Sequence, residues 1–382
     1  MSEWEYYNWG DLVELKYGKS LKDYREKTQG YRVFGTNGPI GYNEEFLYNK
    51  PSIIIGRKGA YRGVEFSKEP FFVIDTAFYT VNKVDFLDEK FGYYQLLTKN
   101  INALDSGSAI PSTSRDDFYS LEAYLPSKEE QIEIRNILDT LNKKITLLRQ
   151  QNQNLEELAK ILFKRWFVEF EFPNENGEPY KSSGGKMIES ELGEIPEGWR
   201  VGCLNDEFTI LMGQSPAGSS YNEIKEGKIF YQGRTDFGFR FPTNRLYTTE
   251  PKRIADKFDV LVSVRAPVGD VNMASEECCI GRGLGAVKSD LKSYCFNKIK
   301  SMKKAFDVFE NEGTVFGSLS KNDFNSLEVI IPEKHVAEQY EQVAFKLDLK
   351  IFENSNEIQT LTLLRDTLLP KLMSGEIRVK IE

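Results

Sequence analysis

One sixteen-residue phrase occurs twice in this 382-residue chain: PSTSRDDFYSLEAYLP at 111–126 and GSLSKNDFNSLEVIIP at 317–332. Self-similarity of this kind constrains a fold more than any composition does, because each copy must bury its apolar face by the same packing. The likeness extends on both sides. WEYYNWGDLVELKYGKS (4–20) aligns without gaps on WRVGCLNDEFTILMGQS (199–215), pairing Trp4 with Trp199, Gly18 with Gly213 and Ser20 with Ser215. Downstream, LEELAKILFK (155–164) matches LTLLRDTLLPK (361–371). The chain is therefore two copies of a module, a globular part and then a helix, with divergence concentrated inside the globular parts.

The globular parts read as mixed α/β. Short β-branched and aromatic runs such as SIIIG, FFVIDTAFYTV, DVLVSV and LEVIIP alternate with turn-rich stretches, while KFGYYQLLTKNINAL and LKSYCFNKIKSMKKAFDVFE have helical patterns. Pro126 and Pro332 each stop a strand and permit a helix start. The following segments carry the clearest periodicity. Ile134, Leu138, Leu141, Ile145, Leu148, Asn152, Leu155, Ala159 and Leu162 step by four and three, as do Tyr340, Ala344, Leu347, Ile351, Asn354, Ile358 and Leu361. Helices of roughly 36 residues, about 54 Å long, are expected to pair through these seams as an antiparallel coiled coil. Asn152 and Asn354 interrupt the apolar seams, either to fix register or as polar intrusions without a role. The expected division is a globular domain at 1–126, a helical region at 127–170, a Gly-, Pro-, Ser- and Glu-rich linker at 171–195, a second globular domain at 196–332 and a second helical region at 333–382.

Catalytic signatures are missing. The chain has neither GxxxxGK[ST] nor an NPPY-like tetrapeptide, and its one histidine, His335, sits where a helix begins. GRGLGAV (281–287) lacks the strand-and-helix setting of a nucleotide loop and reads as a turn. Cys203, Cys278, Cys279 and Cys295 form no CxxC pair, so buried free thiols are expected and no metal. No apolar run is long enough to span a bilayer and the start lacks signal-peptide features, so a cytoplasmic address is expected. A net charge of −8 argues against indiscriminate nucleic-acid binding. Residues 196–332, however, carry as many basic as acidic side chains, so DNA contact would come from local clusters.

Such clusters are present. GRKGAYRG places Arg57, Lys58 and Arg62 around Tyr61 on a glycine-rich loop, and SVRAPVG supplies Arg265; each arginine leaves a β-branched run, pairing Arg57 with Arg265. Arginine suits phosphate and guanine contact, although a solvated charged turn would look alike. GRTDFGFR adds Arg234, Thr235, Asp236 and Arg240. The repeated phrase adds Ser112, Thr113, Ser114 and Arg115, matched by Ser318, Leu319, Ser320 and Lys321, whose hydroxyls could meet DNA or cap a turn. Neighbouring turns contribute Lys19, Ser20, Thr36 and Asn37 in the first copy, and Gln214, Ser215 and Arg282 in the second.

Taken with the repeat and the paired seams, GWRVGCLNDEFTILMGQSP, DVLVSVRAPVGDVNMA, IGRGLGAVKS and RDTLLPKLMSGEIRV resemble the specificity subunit of type I restriction-modification systems over nearly the whole chain. IIIGRKGAYRG departs from the expected SVRG/APVG form. The resemblance implies a non-catalytic subunit whose two recognition domains each read half of a bipartite, asymmetric double-stranded DNA target, the helices fixing the spacer. It further implies two methylation subunits carrying S-adenosylmethionine and two restriction subunits using ATP and Mg, with no cofactor bound by this chain. Other readings are a helical adaptor whose globular ends bind proteins, and an enzyme in its own right.

Overall fold

The structure is a computed structural model that describes residues 3–104, 110–311 and 317–380. Contacts divide the chain into two compact units, Met1–Thr146 with Gln359–Glu382, and Leu147–Ile358. Two 40-residue helices, Lys128–Phe167 and Lys334–Met373, each contribute one part to either unit.

The first unit holds strands β1 (Glu5–Asn8), β2 (Val13–Tyr17), β3 (Tyr31–Gly35), β4 (Gly38–Asn43), β5 (Ser52–Gly56), β6 (Val64–Ser67), β7 (Phe71–Val73), β8 (Ala77–Asn82) and β9 (Glu122–Leu125). They form a four-stranded sheet ordered β2-β8-β5-β6, a three-stranded sheet β4-β3-β7 and the antiparallel pair β1-β9. All five residues of β5 are buried, which is why SIIIG reads as a continuous apolar run rather than an alternating one. The carboxy-terminal residues return to this unit. Leu372 and Met373 join the core of Trp4, Trp9 and Phe118, Arg378 lies over the Trp4 ring, and its guanidinium holds buried Glu130 at 2.6 and 2.7 Å. A two-pronged charged pair of this kind is among the stronger hydrogen-bonded contacts.

The second unit contains β10 (Met187–Ile188), β11 (Ile195–Pro196), β12 (Arg200–Cys203), β13 (Thr209–Met212), β14 (Tyr221–Asn222), β15 (Lys228–Tyr231), β16 (Tyr247–Thr248), β17 (Ile254–Ala255), β18 (Val260–Ser263), β19 (Val271–Met273), β20 (Cys278–Ile280), β21 (Leu284–Lys288) and β22 (Glu328–Ile331). The order β13-β21-β18-β19 repeats the four-stranded sheet of the first unit, and β12-β22 repeats β1-β9. The three-stranded sheet widens here to β14-β16-β15-β20-β17, and in both units its one parallel pairing recurs, as β3-β7 and as β15-β20. Gly18 and Gly213 show why those matched glycines stay glycine: a Cβ would stand 2.0 Å from the Ile74 carbonyl oxygen in one and 2.1 Å from that of Gly281 in the other.

The stretch at 171–195 does not behave as a free linker. Phe172 stacks on Trp199 with ring centroids 5.2 Å apart and on Tyr180 at 4.6 Å, and Ile195 is fully buried. A few apolar anchors thus fasten a polar, glycine-rich segment to the second unit's core, against its average composition.

Among the seam residues, Leu138, Ile145, Leu148, Asn152, Ile351 and Asn354 are buried, while Leu141, Leu155, Leu347, Ile358 and Leu361 are half-buried. Within the second unit the helices run antiparallel. Asn354 Nδ2 donates to Asn152 Oδ1 at 2.9 Å, Asn152 Nδ2 to Ser355 Oγ at 3.3 Å, and the Tyr340 hydroxyl to the Ala159 carbonyl at 3.1 Å. Buried amides that satisfy each other make this register cheaper than one that would leave both unpaired. Among the described residues no helix is long and apolar enough to cross a membrane.

Candidate nucleic-acid interface

In each unit the loops that hold the candidate contacts are tied into one frame by the same backbone hydrogen bonds. Arg57 N donates to Thr76 O at 2.8 Å, Gly59 N to Pro111 O at 2.9 Å and Thr113 N to Arg57 O at 2.8 Å. Their counterparts are Val264 N to Gly283 O at 2.9 Å, Ala266 N to Gly317 O at 3.1 Å and Leu319 N to Val264 O at 2.9 Å. Lys19 N on Val73 O matches Gln214 N on Ile280 O in the same way. The frame corrects the sequence alignment by one residue. Isolated bridges join Lys58 with Ser112 and Arg265 with Ser318, so the counterpart of Arg265 is Lys58, and Arg57 stands where Val264 does. Equating the two arginines maximised sequence likeness, whereas the hydrogen-bond ladder counts residues from the strand end.

The two bridge residues share a setting. Lys58 and Arg265 are both exposed, and among the described residues neither has an acidic partner. Lys19, Arg282 and Lys321 are exposed and unpaired in the same sense. Arg282 lies on the turn after β20, where its backbone N–H reaches Ser215 Oγ at 3.2 Å, bringing Gln214 and Ser215 beside it. Thr36 Oγ1 donates to the Lys58 carbonyl at 2.7 Å, which places Thr36 and exposed Asn37 next to Lys58 in the first unit. Lys19 continues into Ser20, also exposed. Exposed cations on loops held by a rigid sheet are a suitable arrangement for meeting phosphates and base edges.

Other candidates serve the protein itself. Arg62 is buried, and its Nη2 donates to the carbonyls of Asn102 at 2.8 Å and Leu104 at 3.3 Å, so it ties two loops together instead of reaching DNA. Arg240 is buried between the Phe296 ring, 3.9 Å from its Cζ, and Asp348, whose Oδ1 stands 2.8 Å from Nη1. Asp236 is buried too, accepting from Gln232 N at 3.1 Å and from Arg245 at 3.0 Å. Ser114 and Ser320 cap short helices, each accepting a backbone N–H three residues on at 3.2 Å, which decides the choice between contact and cap in favour of the cap. Arg57 and Arg115 flank the Tyr17 ring at 4.8 and 5.2 Å, and Arg115 also donates to the Leu15 carbonyl and the Tyr119 hydroxyl. Arg234 pairs with Asp270 beside Thr235, and Ser112 and Ser318 lie on the frame as the bridge partners of Lys58 and Arg265. Exposed Tyr61 projects from the loop that Arg62 anchors.

What the sequence reading missed is the acid that receives Arg240. Asp348 lies beside the heptad position Leu347 and is almost wholly buried, with Ser293 donating to it at 2.6 Å. Burial pushes its carboxyl above the ordinary range, and Arg240 and Ser293 pull the other way. Among the described residues no group of three His, Cys, Asp or Glu side chains could hold a metal ion.

The family of the type I restriction modification DNA specificity domain matches residues 1–157 and again 196–364, once for each copy of the repeat. The chain belongs to this family. A specificity subunit of Methanocaldococcus jannaschii, named a putative type I restriction enzyme MjaX subunit, is 33% identical over 279 residues, covering 70% of this chain and 62% of the relative. The type I restriction enzyme HindI specificity subunit of Haemophilus influenzae is 26% identical over 335 residues, covering 70% of this chain and 71% of its own. The chain thus spans less than two thirds of the length of the first of these relatives. A crystal structure of the S subunit of a type I restriction-modification system from M. genitalium shares the fold with a TM-score of 0.70 at 19% identity, over 99% of this chain and 97% of that one.

Proposed function

We propose that each of the two globular domains, 1–126 and 196–332, reads one half of a bipartite, asymmetric duplex target, and that the paired helices set the unread spacer between the halves. The observation that carries this reading is the shared loop frame with its exposed cation at Lys58 and at Arg265, neither with an acidic partner among the described residues. Around that frame the copies differ: Thr36 and Asn37 stand in a tight turn, whereas Arg234–Asp236 form a helical turn with Arg234 tied to Asp270. Like frames with unlike rims suit two different half-sites, where identical rims would suit a palindrome. The chain itself is non-catalytic and binds no cofactor. It acts in the cytoplasm within a complex whose two methylation subunits bring S-adenosylmethionine, and whose two restriction subunits use ATP and Mg.

A second feature favours a partner that docks twice. Exposed Ile137 and Leu364 lie in the first unit, and exposed Val343 and Leu158 in the second. Val343 occupies the repeat position of Ile137, and Leu364 that of Leu158. Apolar side chains kept exposed at repeated positions fit a protein interface better than chance. Changing Leu158 and Leu364 together to Glu should abolish co-purification with the methylation subunit while leaving the melting temperature of the free chain unchanged; undiminished co-purification would place the interface elsewhere.

Duplex selection from a random library, using the chain assembled with its methylation subunit at physiological salt, tests the main reading. Two short specified blocks at one fixed spacing are the expected result. Enrichment of no sequence would favour the adaptor reading instead.

A further inference from the structure

Phe239 is 53% exposed, yet the backbone on either side of it is fixed. On one side Gly238 exchanges hydrogen bonds with the buried Asn272 side chain, its carbonyl accepting from Nδ2 at 3.0 Å. On the other, the Arg240 carbonyl accepts from Met273 N at 2.9 Å. The Arg240 side chain then plunges into the core onto Phe296 and Asp348. That anchor is expensive. The Arg240 and Asp348 atoms stand close without the alignment of a hydrogen bond, and none of the three guanidinium nitrogens has a hydrogen-bond partner within the described residues. A buried, incompletely satisfied arginine costs stability that an apolar side chain of similar size would not. Local departures from packing rules concentrate where function demands them. Here the cost holds a loop whose outermost side chain is a bare aromatic ring.

The loop also borders a cleft of about 620 Å³ lined by Arg234, Thr235, Gly238, Asp270, Lys300 and Lys303, whose cations are paired with acids, so the exposed ring beside it is the uncommitted group. The first unit contains the same device at an unrelated position: Tyr61 is 80% exposed and is followed directly by buried Arg62, with its guanidinium on the Asn102 carbonyl. Two loops that do not correspond in the repeat have both placed an exposed aromatic next to a buried arginine.

Resting on the reading that this unit contacts DNA, we propose that Phe239 is a direct base-contacting residue of the second domain, stacking on or wedging beside a target base, and that Arg240 is the positioning residue that aims it. Rigid aromatics are suited to this because every base has a stacking face, and an apolar wedge can open a flexible base step. The ring carries no charge, so it contributes to affinity for a particular sequence without adding a phosphate contact.

The test uses the full chain in its methylation complex and, as probe, the duplex that the wild-type complex selects from a random library. Phe239→Ala should bind that duplex on the order of tenfold more weakly. It should relax preference at one or two adjacent positions and leave the slope of affinity against salt unchanged; Phe239→Trp should retain most of the affinity. Arg240→Met combined with Asp348→Leu, which removes both buried charges, should relax the same positions, which a merely structural role would not single out. Unchanged selection by Phe239→Ala overturns the proposal even if the wild type selects normally. A wild type that selects no duplex overturns the DNA reading and this inference together.

Discussion

Replacing Asp348 with alanine is expected to destabilise the second unit by about 3–5 kcal/mol, the usual cost of stripping the partner from a buried charge. Arg240 would keep the Phe296 ring but lose the oxygen 2.8 Å from its Nη1, leaving Glu156 at 3.6 Å as its remaining acidic neighbour. Glu156 already holds Lys300, so it cannot replace the lost pair at full strength. For a unit of this size the cost corresponds to a fall in melting temperature of roughly 6–20 °C, measurable by calorimetry. A fall within about 1 °C would show that Arg240 and Asp348 are nearly independent. Replacing both members by apolar residues should restore much of the loss, because the desolvation cost then disappears.

The same carboxyl gives a pH dependence with a definite sign. Burial raises its pKa in the folded unit, so the folded state binds this proton more tightly than the unfolded chain. Its contribution is fully present below the unfolded value, about 3.9, and is lost as pH rises through the raised folded value. Relative to Asp348→Asn, which does not titrate, the wild type should therefore lose stability as the pH is raised from 4 to 7. A wild type that gains stability on the Asn variant over that range would mean that Arg240 outweighs burial.

Arg265→Ala and Lys58→Ala should have the largest effects on DNA binding, and effects of different kinds. Both residues project from the same point of the loop frame and neither has an acidic partner among the described residues. The arginine has a planar fork that matches the acceptors of a guanine edge, so its loss should relax one base position by about 1–3 kcal/mol. Lysine is a point charge, and its loss should weaken binding almost evenly across sequences, lowering the salt slope by roughly one. Competition binding with single-base variants of the selected duplex, repeated over a salt series, separates the two outcomes. If Arg57→Ala instead gave the larger effect in the first unit, the one-residue shift between the loops would not matter for recognition. Arg57 is committed to the Asp75 carbonyl at 2.9 Å and to the Tyr17 ring.

The sequence carried the repeat, and the repeat carried the family, because identical packing demands leave identical marks: Trp4 and Trp199 against their cores, Gly18 and Gly213 where a carbonyl approaches too closely for a Cβ. The helical seams were equally plain, since a heptad pattern is a local property that survives without knowledge of its partner. Legibility ended where a residue's role depends on what lies across the fold. Arg62, Arg240 and Asp236 sit in loops of the right composition for DNA contact, and only the tertiary structure turns them inward, the first two onto carbonyls and a carboxylate remote in sequence and the third onto Arg245. The packing of the linker was hidden for the same reason, its polar average masking Phe172 and Ile195, which belong to a core. Sequence by itself determined that two like modules, each ending in a long helix, would form; local propensity and repeated burial patterns suffice for that. Tertiary structure alone decided which cations face outward, because exposure is set by the distant partners that claim the rest.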